Sequence, residues 1–342
     1  VRVWLPLIRA GTGADVFMQN LAAGLERQEV PVSIAWFSRL LELCPVLLGG
    51  PGRLPVPDAD IIHANCDYAF PFAGRGVPLV VTLFHWVHGP DFVRCRGPIQ
   101  GLYHRLLLRR RQQRSLRAAT AITTISAYSA RQLQAALPGV QPRVIYPGVD
   151  TDFFQPGPAR APDGVFRLLF IGSPSRRKGF DLLPRIAAGL GPGFQVRYAE
   201  GPDVAGGTIL HRTGRLTRAQ LLAEYRDCDA LIFPTRYEGF GLAAAEAMAC
   251  AKPVIASNCT SLPELVQDGV TGILCPVDNV AAFVAAARRL DADHGAARAM
   301  GCAGRERVLQ HFTLAHMAVA YIDLYRALRA GSAAHQEKET ST

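Results

Sequence analysis

Two glutamates, Glu238 and Glu246, lie in the stretch Phe233-Pro-Thr-Arg-Tyr-Glu-Gly-Phe-Gly-Leu-Ala-Ala-Ala-Glu246. Its apolar start reads as a strand ending at Pro234, and a glycine-containing loop then opens a helix near Gly241. Such a loop aims the backbone N–H groups of Gly239, Phe240, Gly241 and Leu242 at a ligand from the positive end of the helix dipole. Glu238 lies in the loop and Glu246 inside the helix, so the two acids face one region from different depths. Carboxylates placed in this way accept hydrogen bonds from separate parts of a polyhydroxylated ligand. On spacing alone, the pair reads equally well as two solvated surface acids. The basic run Arg176-Arg177-Lys178 follows an apolar strand and precedes Gly179, and its plain reading is a solvated loop. Gly11-Thr12-Gly13 stands between the first strand and the first helix, where a lone Gly-x-Gly is also a simple tight turn. His85 follows an apolar strand at the edge where open α/β sheets bind ligands, with a loop histidine satisfied by its neighbours as the competing reading.

These residues need a scaffold, and the hydrophobic pattern supplies one. Apolar, β-branched runs alternate with helical patterns along the chain, the signature of parallel sheets with crossover helices. Strands are expected at 1–5, 32–37, 60–64, 77–84, 120–125 and 143–146, then at 167–171, 194–199, 229–233, 253–256 and 272–274. Helices fit between them; Phe17, Leu21 and Leu25 form one apolar face of the first. The Pro-, Gly- and Asp-rich segment 147–164 reads as a linker. A chain of 342 residues with 49% hydrophobic content and a mean hydropathy of +0.12 suits two buried α/β cores rather than one. The expected fold class is therefore α/β: two facing Rossmann-like domains with a ligand cleft between them. The expected boundaries are 1–155 for the first domain, 156–311 for the second, 312–330 for an amphipathic terminal helix and 331–342 for a frayed tail.

The strand–loop–helix around Glu238 and Glu246 resembles the Glu-x7-Glu motif of the retaining, GT-B-fold glycosyltransferases of family 4. Other segments resemble that family in order: Ile125-Ser-Ala-Tyr-Ser129, the linker Val144-Ile-Tyr-Pro-Gly-Val-Asp-Thr-Asp-Phe-Phe-Gln-Pro156, Leu168-Leu-Phe-Ile-Gly-Ser-Pro-Ser-Arg-Arg-Lys-Gly179 and Ser261-Leu-Pro-Glu-Leu-Val-Gln-Asp-Gly-Val-Thr-Gly272. Only 40–57 and the tail lack a match. The resemblance implies a GT-B fold whose terminal helix crosses back to the first domain, and transfer of a sugar from a nucleotide-sugar donor with retention. It implies that Glu246 holds the donor ribose and that Glu238 lies beside the transferred sugar. The amides of Phe240, Gly241 and Leu242 would touch that sugar or its phosphate. Arg177 and Lys178 would grip the donor diphosphate in place of a divalent cation. Gly11 and Gly13 would form the family's glycine loop near the diphosphate and acceptor, and His85 would contact the transferred sugar. Two departures stand out. Ser173 occupies a position where many relatives carry Arg, which leaves that phosphate contact missing or supplied by Arg176. The usual Thr-x-His is here Thr82-Leu-Phe-His85, which leaves His88 as an alternative to His85.

Charge is unevenly spread. No Asp or Glu occurs from 92 to 149, and ten arginines in that span account for the net charge of +9. Something anionic is expected to meet this part of the chain. The arginine-rich helix spanning Arg105 to Arg117 reads either as an interfacial helix on an anionic membrane or as a packed helix with a solvated basic face. Nucleic acid is not expected, because no aromatic array or nucleic-acid module accompanies the charge. The eight cysteines show no Cys-x-x-Cys spacing and read as core residues of a reduced, cytosolic protein, with no metal and no resident cofactor expected. No apolar run is long enough for a membrane span, and the opening residues lack the layout of a signal peptide. The function expected is transfer from a UDP-sugar, ahead of a GDP-sugar, to a glycolipid or cell-envelope glycan. An epimerase or sugar phosphorylase on the same fold, or a non-catalytic sugar-nucleotide binder, is the alternative.

Overall fold

A computed structural model describes residues 1–48, 58–158, 160–161, 163–203 and 209–340. The chain divides into two units, one of residues 1–148 together with 314–342 and one of residues 149–313.

The first unit holds a six-stranded parallel sheet of β1 (Val3–Ile8), β2 (Val32–Phe37), β3 (Ile61–Asn65), β4 (Leu79–Leu83), β5 (Ala121–Thr124) and β6 (Arg143–Val144). Its spatial order is β2-β1-β3-β4-β5-β6, with every described neighbour parallel. Strands β1 and β4 are buried along their full lengths, as sheets covered on both faces require. The helix Gly13–Arg27 follows β1 and buries Phe17, Leu21 and Leu25, the face its four-residue spacing marks. Between β4 and β5 the chain forms one helical run: an α segment Pro98–Tyr103, a π turn His104–Leu108 and the arginine-rich α segment Arg109–Ala118.

The terminal helix, Leu314–Thr340, packs in this first unit through a buried polar cluster. His63 of β3 lies 2.6 Å from the Tyr325 hydroxyl and 2.6 Å from the Thr82 hydroxyl. Tyr321 reaches Thr82 at 3.2 Å and Thr123 at 3.1 Å. Burial pushes the His63 imidazole down to about 3, so it stays neutral and serves as a hydrogen-bond hub. The helix continues to Thr340 rather than ending at 330, since Ala, Gln, Glu and Lys beyond Gly331 are all helix formers. Positions 341 and 342 of the expected tail lie outside the described residues.

The second unit holds β7 (Phe166–Phe170), β8 (Phe194–Tyr198), β9 (Leu210–Arg212), β10 (Ala230–Phe233), β11 (Val254–Ser257) and β12 (Gly272–Cys275), in the order β12-β11-β10-β7-β8-β9. Strand β9 falls outside the expected strands: of its three residues, His211 and Arg212 are polar and exposed, so no hydrophobic period marks it. The unit begins at Val149, earlier than the linker composition suggested, because the Val149 amide donates to the Phe312 carbonyl at 2.8 Å. The chain thus enters and leaves this unit side by side.

Candidate active site

Where a doubly wound sheet reverses its strand order, adjacent loops splay apart and leave a crevice beyond the carboxyl ends of the strands. In the second unit the reversal falls between β7 and β10. The loop after β7 carries Arg177 and Lys178, and the loop after β10 carries Glu238. The topology therefore brings together two segments that lie about sixty positions apart in sequence.

Lys178 ends a short 3-10 turn, Arg176–Lys178, capped by the Ser175 side chain, which accepts from the Lys178 amide. Gly179 then takes a left-handed conformation, φ 74°, and a Cβ there would sit 1.9 Å from the Pro234 carbonyl oxygen. Glycine alone lets the two loops approach this closely. The contact is stitched on both sides. The Arg236 amide donates to the Arg177 carbonyl at 2.8 Å, and the Arg177 guanidinium donates to the Tyr237 carbonyl at 3.0 Å. Arg236 grips Asp181 through two bonds of 2.7 and 2.8 Å and reaches Asp278 at 2.6 Å. Arg236, invisible as a site residue in the sequence, fixes the geometry of its neighbours; a bidentate Arg–Asp fork is hard to foresee when its partners are so distant.

At the centre, Lys178 Nζ lies 2.5 Å from Glu238 Oε1. The Thr235 hydroxyl donates to the same oxygen at 3.1 Å, and Arg177 stands 3.9 Å from it. The Glu238 backbone is held from the loop after β11: its amide donates to the Thr260 hydroxyl at 3.1 Å, and its carbonyl accepts from the Ser261 hydroxyl at 3.1 Å. Burial draws the Lys178 pKa below its ordinary value, although the Glu238 charge pulls the other way. Ser173 bonds to Ser175 at 3.2 Å, and Arg176 is exposed with its carbonyl taken by Arg236.

Gly241 opens the motif helix Leu242–Ala249 with φ 105°, and no side chain caps that end. A Cβ at Gly241 would meet Leu262 Cδ2 at 2.9 Å, so glycine is again required. Phe240 is buried and meets Phe312 edge-on at 5.4 Å. Glu246, one turn inside the helix, is 9% exposed, and its Oε2 accepts from the Tyr225 hydroxyl at 2.9 Å. Burial pushes its carboxyl up to about 7, against the Tyr225 hydrogen bond and the Arg218 charge. The two glutamates are thus two sites: one loop acid charge-paired with lysine, one helix acid beside a tyrosine. Neither is the solvated surface acid of the plainer reading.

The remaining candidates belong to the first unit, whose strand order reverses between β1 and β3. Gly11 has φ 70°, and the amides of Ala10 and Gly11 donate to Asp15 Oδ2 at 2.9 and 2.7 Å. The glycine loop is therefore braced by an acid in the first helical turn. Gly13 begins the helix. His85 follows β4, partly buried, with its carbonyl accepting from Gln112 at 3.4 Å and its ring 6.4 Å from that of Phe92. Gln112 also donates to Asp67 at 2.8 Å, and burial raises the Asp67 carboxyl to about 6. His88 packs edge-on to Trp86 at 5.0 Å; burial, with His104 and Arg109 nearby, pushes it down to about 4. Its imidazole is neutral at pH 7. In the arginine-rich segment, Arg111 donates to the carbonyls of Glu42 and Leu43 at 2.7 and 2.8 Å, and Arg114 lies over the Phe70 ring at 4.4 Å. Arg105, Arg109, Arg110 and Arg117 are exposed. Among the described residues, no three His, Cys, Asp or Glu side chains gather as metal ligands, and no helix is long and apolar enough to cross a membrane.

Paired parallel sheets of this kind define the GT-B fold, and solved GT-B structures match nearly the whole chain. Sucrose-phosphate synthase from Thermosynechococcus elongatus matches with a TM-score of 0.77 over 96% of this chain and 99% of that one, at 22% identity. Anabaena HepE, in complex with UDP-glucose, matches with a TM-score of 0.75 over 95% and 99%, at 16% identity. Residues 165–293 match the family model "Glycosyl transferases group 1" and residues 53–153 match "Glycosyltransferase Family 4". The D-inositol 3-phosphate glycosyltransferase 1 of Catenulispora acidiphila is 31% identical over 76% of this chain and 70% of that protein. The chain belongs to glycosyltransferase family 4. The alpha-maltose-1-phosphate synthase of Mycobacterium tuberculosis is 30% identical over 63% of this chain, which spans 65% of that relative's length.

Proposed function

We propose that this protein transfers a sugar from a nucleotide-sugar donor, with UDP-sugar as the first choice, to a glycolipid or cell-envelope glycan, with retention and without a metal ion. The observation that carries the reading is the cluster at the β7/β10 crevice: Lys178 and Arg177 converge on the Glu238 carboxylate, beside an uncapped helix N-terminus. In the absence of donor, Glu238 balances the cations. A donor diphosphate would draw their charge, and stabilising it as it departs is the work a divalent ion does elsewhere. Glu246, on the same helix and set deeper, takes the ribose hydroxyls, while Glu238 lies beside the transferred sugar. The departing phosphate assists the incoming hydroxyl on the same face of the sugar, since no carboxylate is assigned as a nucleophile. Solved structures of the same fold in complex with UDP and with UDP-glucose support a uridine donor.

A lipid-borne acceptor at an anionic membrane is supported by the surface of the first unit. Leu102, Leu106 and Leu107 are exposed beside Arg105, Arg109 and Arg110, and Leu40 and Leu43 are exposed next to the carbonyls that Arg111 holds. Apolar side chains beside exposed basic ones suit the boundary of an acidic bilayer. The deciding experiment supplies UDP-sugars with and without lipid-linked glycan acceptors and follows free UDP and glycosylated product. UDP release that depends on acceptor, with product of retained configuration, is expected; turnover that ignores acceptor overturns the reading in favour of epimerisation or hydrolysis.

A further inference from the structure

The Tyr225 hydroxyl stands between two acceptors, 2.9 Å from Glu246 Oε2 and 3.2 Å from the Ala243 carbonyl oxygen. A phenol has one proton and donates to one of them at a time. With Glu246 ionised, the shorter, charge-assisted bond takes that proton. With Glu246 protonated, the carboxyl O–H donates to the phenol oxygen, and the phenol proton turns to Ala243. Both states of a buried carboxyl are thereby hydrogen-bonded, so the proton can be gained or lost without leaving an orphaned polar group. Tyr225 is fully buried and braced edge-on by Phe154 at 5.8 Å, so its hydroxyl has little freedom to move away.

The charged and titratable groups around Glu246 are few. Arg218 faces it from the helix Arg218–Asp227, itself paired with Asp150 at 2.8 Å, and Tyr225 comes from the same helix. Cys250 lies at the end of the motif helix and Cys228 beyond Tyr225; burial pushes both thiols up to about 12, which keeps them neutral. The group that changes charge here near neutrality is Glu246.

We propose that Tyr225 is a positioning residue that presents Glu246 as an ionised acceptor to the donor ribose, and that donor binding is coupled to release of one proton. The proposal rests on the reading that Glu246 holds the ribose. An ionised carboxylate accepts from two ribose hydroxyls, whereas the protonated form spends its O–H on Tyr225 and offers less. Binding therefore favours the ionised form, and the proton leaves Glu246 for solvent. Affinity should rise with pH through the Glu246 titration and level off above it.

The test is calorimetric titration with UDP-glucose, whose diphosphate diester does not itself titrate near neutrality, from mildly acid to mildly alkaline pH. Each pH is measured in two buffers of different ionisation enthalpy, which counts protons released. The native chain should release close to one proton on the acid side and none on the alkaline side. Glu246→Gln should bind more weakly and lose this pH dependence. Tyr225→Phe keeps the ring and removes the hydrogen bond that favours the ionised carboxyl, so its midpoint should move up by about one pH unit, with affinity about fivefold lower at pH 7 and about tenfold lower on the acid side. The two curves should converge at alkaline pH, which simple loss of packing would not produce. Unchanged binding by Glu246→Gln, or no binding by the native chain, overturns the ribose reading. Dependence on Glu246 with an unmoved midpoint in Tyr225→Phe overturns the role of Tyr225 alone. Should that variant not fold, absence of proton release from the native chain is sufficient to sink the proposal.

Discussion

Replacing Lys178 by Ala removes the nearest positive charge from Glu238, whose side chain is only 6% exposed. Oε1 keeps the Thr235 hydroxyl at 3.1 Å and Arg177 at 3.9 Å. At an effective dielectric of about 20, a charge at that second distance still interacts by about 4 kcal/mol before desolvation is counted. The variant therefore loses the closest compensation of the Glu238 carboxylate. Breaking a fully buried pair costs about 3–5 kcal/mol; with Lys178 17% exposed, a cost of about 1–3 kcal/mol is expected. For a unit of this size that corresponds to roughly 2–10 °C in Tm. Turnover should fall by about 10²–10³, the usual loss when a donor that stabilises developing charge is removed. The double variant Lys178→Ala with Glu238→Gln separates the two effects. It removes the stranded charge, so Tm should recover, while turnover should fall well below that of Glu238→Gln alone because no ammonium meets the leaving diphosphate. Thermal melts and steady-state release of UDP are the assays. Turnover in the double variant equal to that of Glu238→Gln alone would refute a catalytic role for Lys178 and leave it as a structural partner of Glu238.

The two glutamates should fail differently. Glu246→Ala should weaken donor binding by about 1.5–3 kcal/mol, roughly 10- to 150-fold, whereas Glu238→Ala should chiefly lower kcat; equal effects on both parameters in both variants would contradict the division of roles. Turnover should survive excess EDTA, as the cations at the β7/β10 crevice are supplied by the chain; loss reversed by magnesium or manganese would count against this. Flotation with acidic vesicles should recover the protein and weaken as salt rises, each productive Arg contributing about 1 kcal/mol. Changing Arg105, Arg109, Arg110 and Arg117 together to Gln should abolish recovery. Arg111 and Arg114 are spared because they bond within the first unit. Equal recovery with neutral lipid would remove the membrane from the reading.

Local pattern determined most of the scaffold. The strands 32–37, 194–198 and 230–233 and the helix ending at Arg27 are legible because burial on a sheet or one helical face leaves a period in the sequence. The loop glycines were legible too, and the structure supplies their reason in the positive φ of Gly179 and Gly241 and the atoms a Cβ would strike. The short β9, the continuation of the terminal helix past Gly331 and the unit boundary at Val149 left no such period: β9 is a polar edge strand, and Val149 pairs with Phe312 and Thr313 far along the chain. In the site, sequence identified the acids and bases but not their partners. That Lys178 meets Glu238, that Arg236 locks Asp181 and that Tyr225 holds Glu246 depends on which strands are neighbours, and neighbours in a doubly wound sheet are far apart in sequence. The same holds for charge. Composition counts ten arginines between 92 and 149, but only tertiary packing sets Arg111 on the carbonyls of Glu42 and Leu43, lays Arg114 over the Phe70 ring and leaves Arg105, Arg109, Arg110 and Arg117 to face solvent. Residue types set what chemistry is available; the fold decides which groups stand close enough, and dry enough, for it to operate.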